Sequence, residues 1–368
     1  MYLKDLVDIQ MGQSPDSKFY NYDKIGLPFY QGKADFGRIN PTPKIWCMKS
    51  KKEAKPNDIL ISVRAPVGDL NINNAQSCIG RGLAAITCKS DVDMMYLYYY
   101  LKYLKPQLKH ISTGSTFESI NRTQLENLII DCKPFSEQIK ISNILQVVQR
   151  QIEVKENLLR LYNLLIKSRF VELFGDVVLN TLNWPLVKLS DIAEYRIGLT
   201  YKPEAVSSSG TAVLRSGNIQ NSQLCYEDTI YVDSKVEAKL LLKKHDILMC
   251  ARNGSQELVG KVALIEDDIL NTTYGAFMMA ISSKYYVYLF EYFRSQAFRR
   301  LISVGSTTTI NQVTTKMLNS VVIPLPDIDT VNRFALYHSQ INKLKSDVQK
   351  SIDETQLLMD SLMQEYFG

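Results

Sequence analysis

Mostly apolar side chains recur in alternating steps of four and three through Ile141, Leu145, Val148, Ile152, Lys155, Leu159, Tyr162, Ile166, Arg169 and Leu173. The same alternation returns through Ile341, Lys345, Val348, Ile352, Thr355, Met359, Leu362 and Tyr366. A mean period of 3.5 residues lays a narrow stripe along a helix, the seam of a coiled coil. Two such seams in one chain predict two long helices that pair as an antiparallel coiled coil. Each, at about 40 residues and about 1.5 Å of rise per residue, spans about 60 Å and works as a spacer. Polar Lys155, Arg169 and Thr355 interrupt the seams, so the competing arrangement is two amphipathic helices folded separately onto their own domains.

Ahead of each seam the pattern changes. Short β-branched or aliphatic runs such as DILISV, LAAIT, DILMC and KVALI, punctuated by Gly, Pro and Asn, predict strands of a mixed domain. Between strands and seam, MMYLYYYLKYL and YYVYLFEYFRSQAFRRLI predict helices, being longer than a typical strand and free of breakers. The order repeats. LKDLVDIQMG (3 to 12) matches LSDIAEYRIG (189 to 198), and NDILISVR (57 to 64) matches HDILMCAR (245 to 252). STGSTFESIN, LENLIIDCKP and RFVELFG likewise match SVGSTTTIN, MLNSVVIPLP and LMQEYFG, in the same sequence order. A long-period repeat of this kind indicates duplication. The expected architecture is α+β: a mixed α/β domain over 1–133, a spacer helix over 134–175, a linker over 176–187, a second mixed domain over 188–325 and a second spacer helix over 326–368.

At 368 residues the chain has room for two or three domains, each with its own core. With 45% hydrophobic and 22% charged residues it has the composition of a globular protein. Its first residues lack a charged and apolar leader, and no long apolar run predicts a membrane span, so the expected location is the cytoplasm. Six scattered cysteines without a C-x-x-C pair, and His110, His245 and His338 without ligand spacing, signal neither zinc site nor disulfide framework. A net charge of +5 suits an anionic partner without requiring one. The basic run KSKKEAK, with Lys49, Lys51, Lys52 and Lys55, is either a solvated loop or a phosphate contact.

The chain resembles, over essentially its whole length, the specificity subunit of type I restriction-modification systems, HsdS. The resemblance is carried by the L-x-D-[IL] opening of each half, the blocks PFYQGKADFG and AVLRSGNIQ, the two G-S-T…I-N loops, the I-P-L-P exit, the NWPLVKLSDI re-entry and the helices ending in F-G. The first half departs from the pattern by leaving through LIIDCKP. The resemblance implies that each globular part is a target recognition domain reading one half of a split DNA sequence, with the helix pair setting the spacing. It further implies two docked methyltransferase subunits that modify adenine with S-adenosylmethionine, joined by restriction and motor subunits that use ATP and Mg. No cofactor is expected in this chain, and its diverged repeat middles imply two different half-sites.

Base readout favours Arg or Lys for guanine and Asn or Gln for adenine. The candidates for DNA contact are Gln31, Lys33, Arg38, Arg64 and Arg81 in the first domain and Arg215, Asn218, Arg252 and Asn253 in the second. RAPVG and RNGSQ follow a predicted strand, where binding groups commonly emerge. For Gly114, Ser115, Thr116 and Asn121, and for Gly305, Ser306, Thr307 and Asn311, a structural turn is favoured over phosphate contact. For Tyr96, Tyr98, Tyr99, Tyr100 and Tyr103, helical spacing favours half-buried packing over base stacking. The chain lacks D/N-P-P-Y/F and a Walker-type loop, and the E-x-K triplets at Glu153 and Glu237 are of a common kind. A non-catalytic role is expected. The alternative is a coiled-coil scaffold whose globular halves bind proteins, which predicts binding without the steep salt dependence of a DNA reader.

Overall fold

The computed structural model describes residues 1–112, 118–304 and 311–368. The chain divides into two compact units, one made of Met1–Asn157 with Val348–Gly368 and the other of Leu158–Asp347. Both boundaries fall inside long helices, so the compact units cut across the five segments expected from the sequence.

In the first unit, strands β1 (Val7–Met11), β2 (Leu27–Tyr30), β3 (Ile45–Cys47), β4 (Ile59–Ser62), β5 (Leu70–Ile72), β6 (Ser77–Ile79) and β7 (Leu83–Cys88) build two sheets. One is antiparallel in the order β1-β7-β4-β5; the other contains β3-β2-β6 with β2 and β6 parallel. Strand β4 is buried on both faces because its alternate side chains enter different cores. Ile59 and Ile61 join the helices, whereas Leu60 meets Tyr30, Ile79, Leu83 and Ala85. Each such fully buried aliphatic contributes about 1.5 to 3 kcal/mol.

Helix α1 (Met94–Tyr103) starts where the Asp93 carboxylate accepts from Tyr96 N at 2.7 Å. Tyr96, Tyr99 and Tyr100 are buried, and Tyr98 and Tyr103 pack against the same core. Tyr96 Oη donates to Asp131 O at 2.8 Å, and Tyr100 Oη accepts from Asp131 N at 3.0 Å. The tyrosine run is therefore packing, locked by its polar ends. Helices α2 (Lys105–Ile111) and α3 (Arg122–Glu126) follow. Asn121 caps α3 reciprocally with Gln124, at 2.9 Å both ways. Gly114, Ser115, Thr116, Gly305, Ser306 and Thr307 lie outside the described residues.

Helix α4 (Phe135–Phe174) begins in the first unit. There Ile141, Leu145 and Val148 share a core with Met359, Met363 and Phe367. Lys155 Nζ donates to Thr355 Oγ1 at 2.6 Å and Ser351 O at 3.1 Å. Partners fall in number as positions rise, so within this unit the two helix segments run antiparallel.

The second unit repeats the plan with β8 (Leu186–Lys188), β9 (Glu194–Ile197), β10 (Thr211–Leu214), β11 (Ile230–Val232), β12 (Ile247–Cys250), β13 (Val262–Leu264), β14 (Thr272–Tyr274), β15 (Met278–Ser282) and β16 (Val322–Pro324). Its antiparallel sheet, β9-β15-β12-β13, has the order of β1-β7-β4-β5, and β10 lies parallel to β14 as β2 does to β6. The segment expected as one helix over YYVYLFEYFRSQAFRRLI is two, α5 (Tyr286–Arg294) and α6 (Gln296–Val304). Ser295 divides them: its hydroxyl donates to Tyr292 O at 2.6 Å and accepts from Phe298 N at 3.3 Å, so it ends one helix and caps the next. Helices α7 (Thr315–Ser320) and α8 (Ile328–Phe367) complete the chain.

The seams differ from the expected registers at both F-G ends. Phe170 and Phe174 are buried while Arg169 and Leu173 are partly exposed; Met363 and Phe367 are buried while Leu362 and Tyr366 are partly exposed. A helix of 3.6 residues per turn drifts about 20° per heptad against a 3.5 repeat, and a long seam absorbs that drift by moving one position. The two terminal rings then close globular cores. Phe174 packs on Tyr288 and Phe334 at 5.0 and 5.3 Å in the second unit; Phe367 packs on Tyr100 and Tyr96 at 4.8 and 5.4 Å in the first.

Candidate nucleic-acid interface

At one end of each antiparallel sheet the same loops converge on the same backbone frame. In the first unit Gly12 N donates to Leu83 O, Gln13 N to Ile79 O, Gly80 N to Tyr30 O, Leu83 N to Gly80 O and Val63 N to Gly82 O, all within 2.8 to 3.0 Å. In the second, Gly198 N donates to Met278 O, Leu199 N to Tyr274 O, Gly275 N to Leu214 O, Met278 N to Gly275 O and Ala251 N to Phe277 O, within 2.7 to 3.2 Å. Bond for bond, the frames correspond. The first glycine of each is required by a close crossing: a Cβ would stand 2.2 Å from Gly80 O at Gly12 and 2.3 Å from Gly275 O at Gly198. Buried β4 and β12, ending at Ser62 and Cys250, aim the next loops outward from a rigid base.

The side chains on the two frames differ. Gln31 and Arg215 occupy equivalent places after β2 and β10, and both are exposed. Arg64 and Arg252 match after β4 and β12. In the turn before the last strand of the sheet, Arg81 and Gly82 stand where the second unit has Ala276 and Phe277. Gln31, Arg64 and Arg81 thus share one loop cluster, and Arg215, Arg252 and Asn253 another. Asn253 Nδ2 donates to Ser216 Oγ at 3.1 Å, which ties the second cluster's loops together. Arg215 donates to Asp228 O at 2.9 Å and Arg252 to Gln312 Oε1 at 2.8 Å, so both guanidinium groups are pre-positioned at the surface.

The remaining candidates are committed elsewhere. Lys33 pairs with Asp69 at 2.8 Å, and Lys105 reaches the same carboxylate at 2.5 Å. Burial pushes the Asp69 pKa up, but the hydrogen bonds from Lys105 and Lys33 outweigh it and hold the carboxyl below its ordinary range. Arg38 pairs with Glu156 at 2.6 Å and Glu153 at 3.6 Å, bracing the domain against α4. Asn218 is a correction. It is only 1% exposed, its Oδ1 accepts from Arg215 N at 2.8 Å, and its Nδ2 donates to Cys225 O, Glu227 O and Thr229 Oγ1. An amide this fully used organises the turn and has no edge left for a base.

Sequence reasoning missed Phe277, which is 60% exposed with the Arg252 guanidinium 5.9 Å from its ring centre. A large aromatic in a turn flanked by strands was the available signal. Among the described residues no group of three or more His, Cys, Asp or Glu is placed to hold a metal ion, and no helix is long and apolar enough to cross a membrane.

A family model described as the type I restriction modification DNA specificity domain matches residues 1–161 and 182–358. The chain belongs to that family. It is 46% identical over 148 residues to the putative type I restriction enzyme MjaX specificity subunit of Methanocaldococcus jannaschii, a match covering 40% of this chain and 35% of that relative. It is 22% identical to the type I restriction enzyme MjaVIII specificity subunit of the same organism, over 74% of this chain and 69% of the relative. The crystal structure of a type I restriction-modification system S subunit from M. genitalium covers 100% of this chain and 95% of its own, with a TM-score of 0.61 at 15% identity, a likeness of fold.

Proposed function

We propose that this chain is the non-catalytic, sequence-reading subunit of a type I restriction-modification complex, working on double-stranded DNA in the cytoplasm. The observation that carries this reading is the pair of loop clusters: one hydrogen-bonded frame, built twice, presenting different exposed side chains. Base edges are read by the side chains that reach them, so a common frame carrying different side chains would yield two similar readers with two different half-sites. Gln31, Arg64 and Arg81 would read or grip one half; Arg215, Arg252 and Asn253 the other. Helices α4 and α8 would pair along their full seams as an antiparallel coiled coil, fix the gap between half-sites and dock two methyltransferase subunits. Adenine methylation and restriction would then be performed by the partners, which would carry S-adenosylmethionine, ATP and Mg.

The test is to co-express the chain with its neighbouring methyltransferase subunit and map methylated adenines by single-molecule sequencing. A split motif with a fixed gap is expected. A stable complex with no sequence-dependent methylation would overturn the reading in favour of a protein-binding scaffold.

A further inference from the structure

Resting on the reading of the second loop cluster as a DNA reader, we propose that Phe277 determines half-site specificity by packing its ring against the 5-methyl group of a thymine in the major groove. Three observations carry it. The ring is 60% exposed, although its backbone is fixed: Phe277 O accepts from Ala251 N at 2.9 Å and from Arg252 N at 3.0 Å. An exposed aromatic on a pinned turn loses little conformational freedom when it is buried by a partner. The ring also lies beside Arg252, whose guanidinium is held by Gln312, so an apolar contact and a cation are presented together. The third observation is the repeat. At the equivalent turn the first unit has Gly82, where a Cβ would stand 2.4 Å from Gln31 O, and places the cation Arg81 beside it. The first cluster therefore offers charge where the second offers an apolar face.

Among base edges in the major groove, the thymine methyl is the feature that an apolar side chain selects. Arginine beside it supplies a phosphate or guanine contact from the same loop. Phe277 thus assigns a thymine to the second half-site and predicts its absence at the matching position of the first.

The experiment uses the assembled methyltransferase complex and duplexes carrying the mapped motif, with each thymine of each half-site replaced in turn by deoxyuridine, which removes only the methyl group. In the unsubstituted complex one replacement, in one half-site, is expected to weaken binding on the order of tenfold. Phe277→Ala should lose the same factor on thymine DNA and be indifferent to that replacement, while Phe277→Leu keeps part of the response. Replacements in the other half-site should be neutral to Phe277→Ala. A split motif in which no thymine-to-uracil change is felt, or in which Phe277→Ala still senses it, overturns the assignment while leaving the two-reader function standing. Absence of any split motif instead overturns the function on which it rests.

Discussion

Asp58 and Asp246 stand at equivalent places just before the central strands of the two units, 3% and 2% exposed, and each unit satisfies its buried carboxylate differently. Both use a backbone amide, Lys55 N at 2.6 Å and Lys243 N at 2.9 Å, and both use a hydroxyl from the last strand of the sheet, Thr87 at 2.7 Å and Ser282 at 2.5 Å. The second unit adds an ion pair from Arg196 to Asp246, and Arg196 also donates to Leu241 O at 3.2 Å. In the first unit Gln10 holds the equivalent carbonyl, Glu53 O, and among the described residues no arginine pairs with the carboxylate. One backbone joint is thus kept by a neutral donor in one repeat and by a cation in the other. Since the ladders and turn hydrogen bonds already define the frame, the side chain at this joint was free to change. The same freedom applies at the exposed end of the sheet, where change alters which side chains the surface presents.

A second contrast lies on the helices. Tyr96 and Tyr288 each donate to a carbonyl leading into the following long helix, which aligns Tyr99 with Glu291 and Leu145 with His338. The first unit fills this place with a phenol and an aliphatic; the second buries a carboxylate 2.5 Å from Arg294 and 3.6 Å from His338. Burial pushes the Glu291 pKa up, yet the neighbouring His338 and Arg294 outweigh it and leave the carboxyl below its ordinary 4.5.

The crossing of the helix ends is the part of the comparison that perturbation should break hardest. Phe174→Ala and Phe367→Ala should each cost about 3 to 5 kcal/mol. Hydrogen exchange should show the loss in the second unit for the former and in the first unit for the latter, although each ring belongs by sequence to the other repeat. If both losses appeared in the unit of their own repeat, the assignment of the helix ends would be wrong.

Next in size, Asp246→Asn strands a partly buried guanidinium and should cost about 3 kcal/mol. Asp58→Asn, which removes hydrogen bonds to neutral donors only, should cost about 1 to 2 kcal/mol by denaturant titration. Equal costs would show that Arg196 adds nothing at this joint.

Acid should separate the units further. A carboxyl whose folded pKa is depressed contributes stability that is present above the unfolded value and lost as pH falls through the folded one. The Glu291 contribution should therefore be complete above pH 4.5 and decline below it. Glu291→Gln should flatten the acid limb of unfolding in the second unit and leave that of the first unchanged.

The smallest effect belongs to Arg38. Its pairs with Glu153 and Glu156 are half exposed, and Arg38→Ala should cost about 0.5 kcal/mol or less. A larger loss, measured by thermal unfolding, would mark the contact as a principal anchor of the domain on α4.

Periodicity is written into covalent spacing, and what depends on it was legible: the duplication, the strands around DILISV and DILMC, the long helices and the packing role of the tyrosines. Positions 31, 64 and 81, and 215, 252 and 253, were also legible as a candidate surface, because loops after buried strands emerge together. Their status as free or engaged was not. Asn218 is spent on carbonyls seven and nine residues away, Lys33 on a carboxylate 36 residues away and Arg38 on a helix more than 100 residues on. Phe277 gains its meaning from Arg252 and from a glycine in the other repeat. The one-position drift of the seams and the exchange of Phe174 and Phe367 between cores likewise depend on where a straight helix meets a globular surface. The sequence by itself determined two repeated mixed domains and two long helices, since hydrophobic period and residue order suffice for that. The tertiary structure alone decided which polar groups remain for a ligand, because a hydrogen bond is satisfied by whatever the fold brings within 3 Å, however distant in the chain.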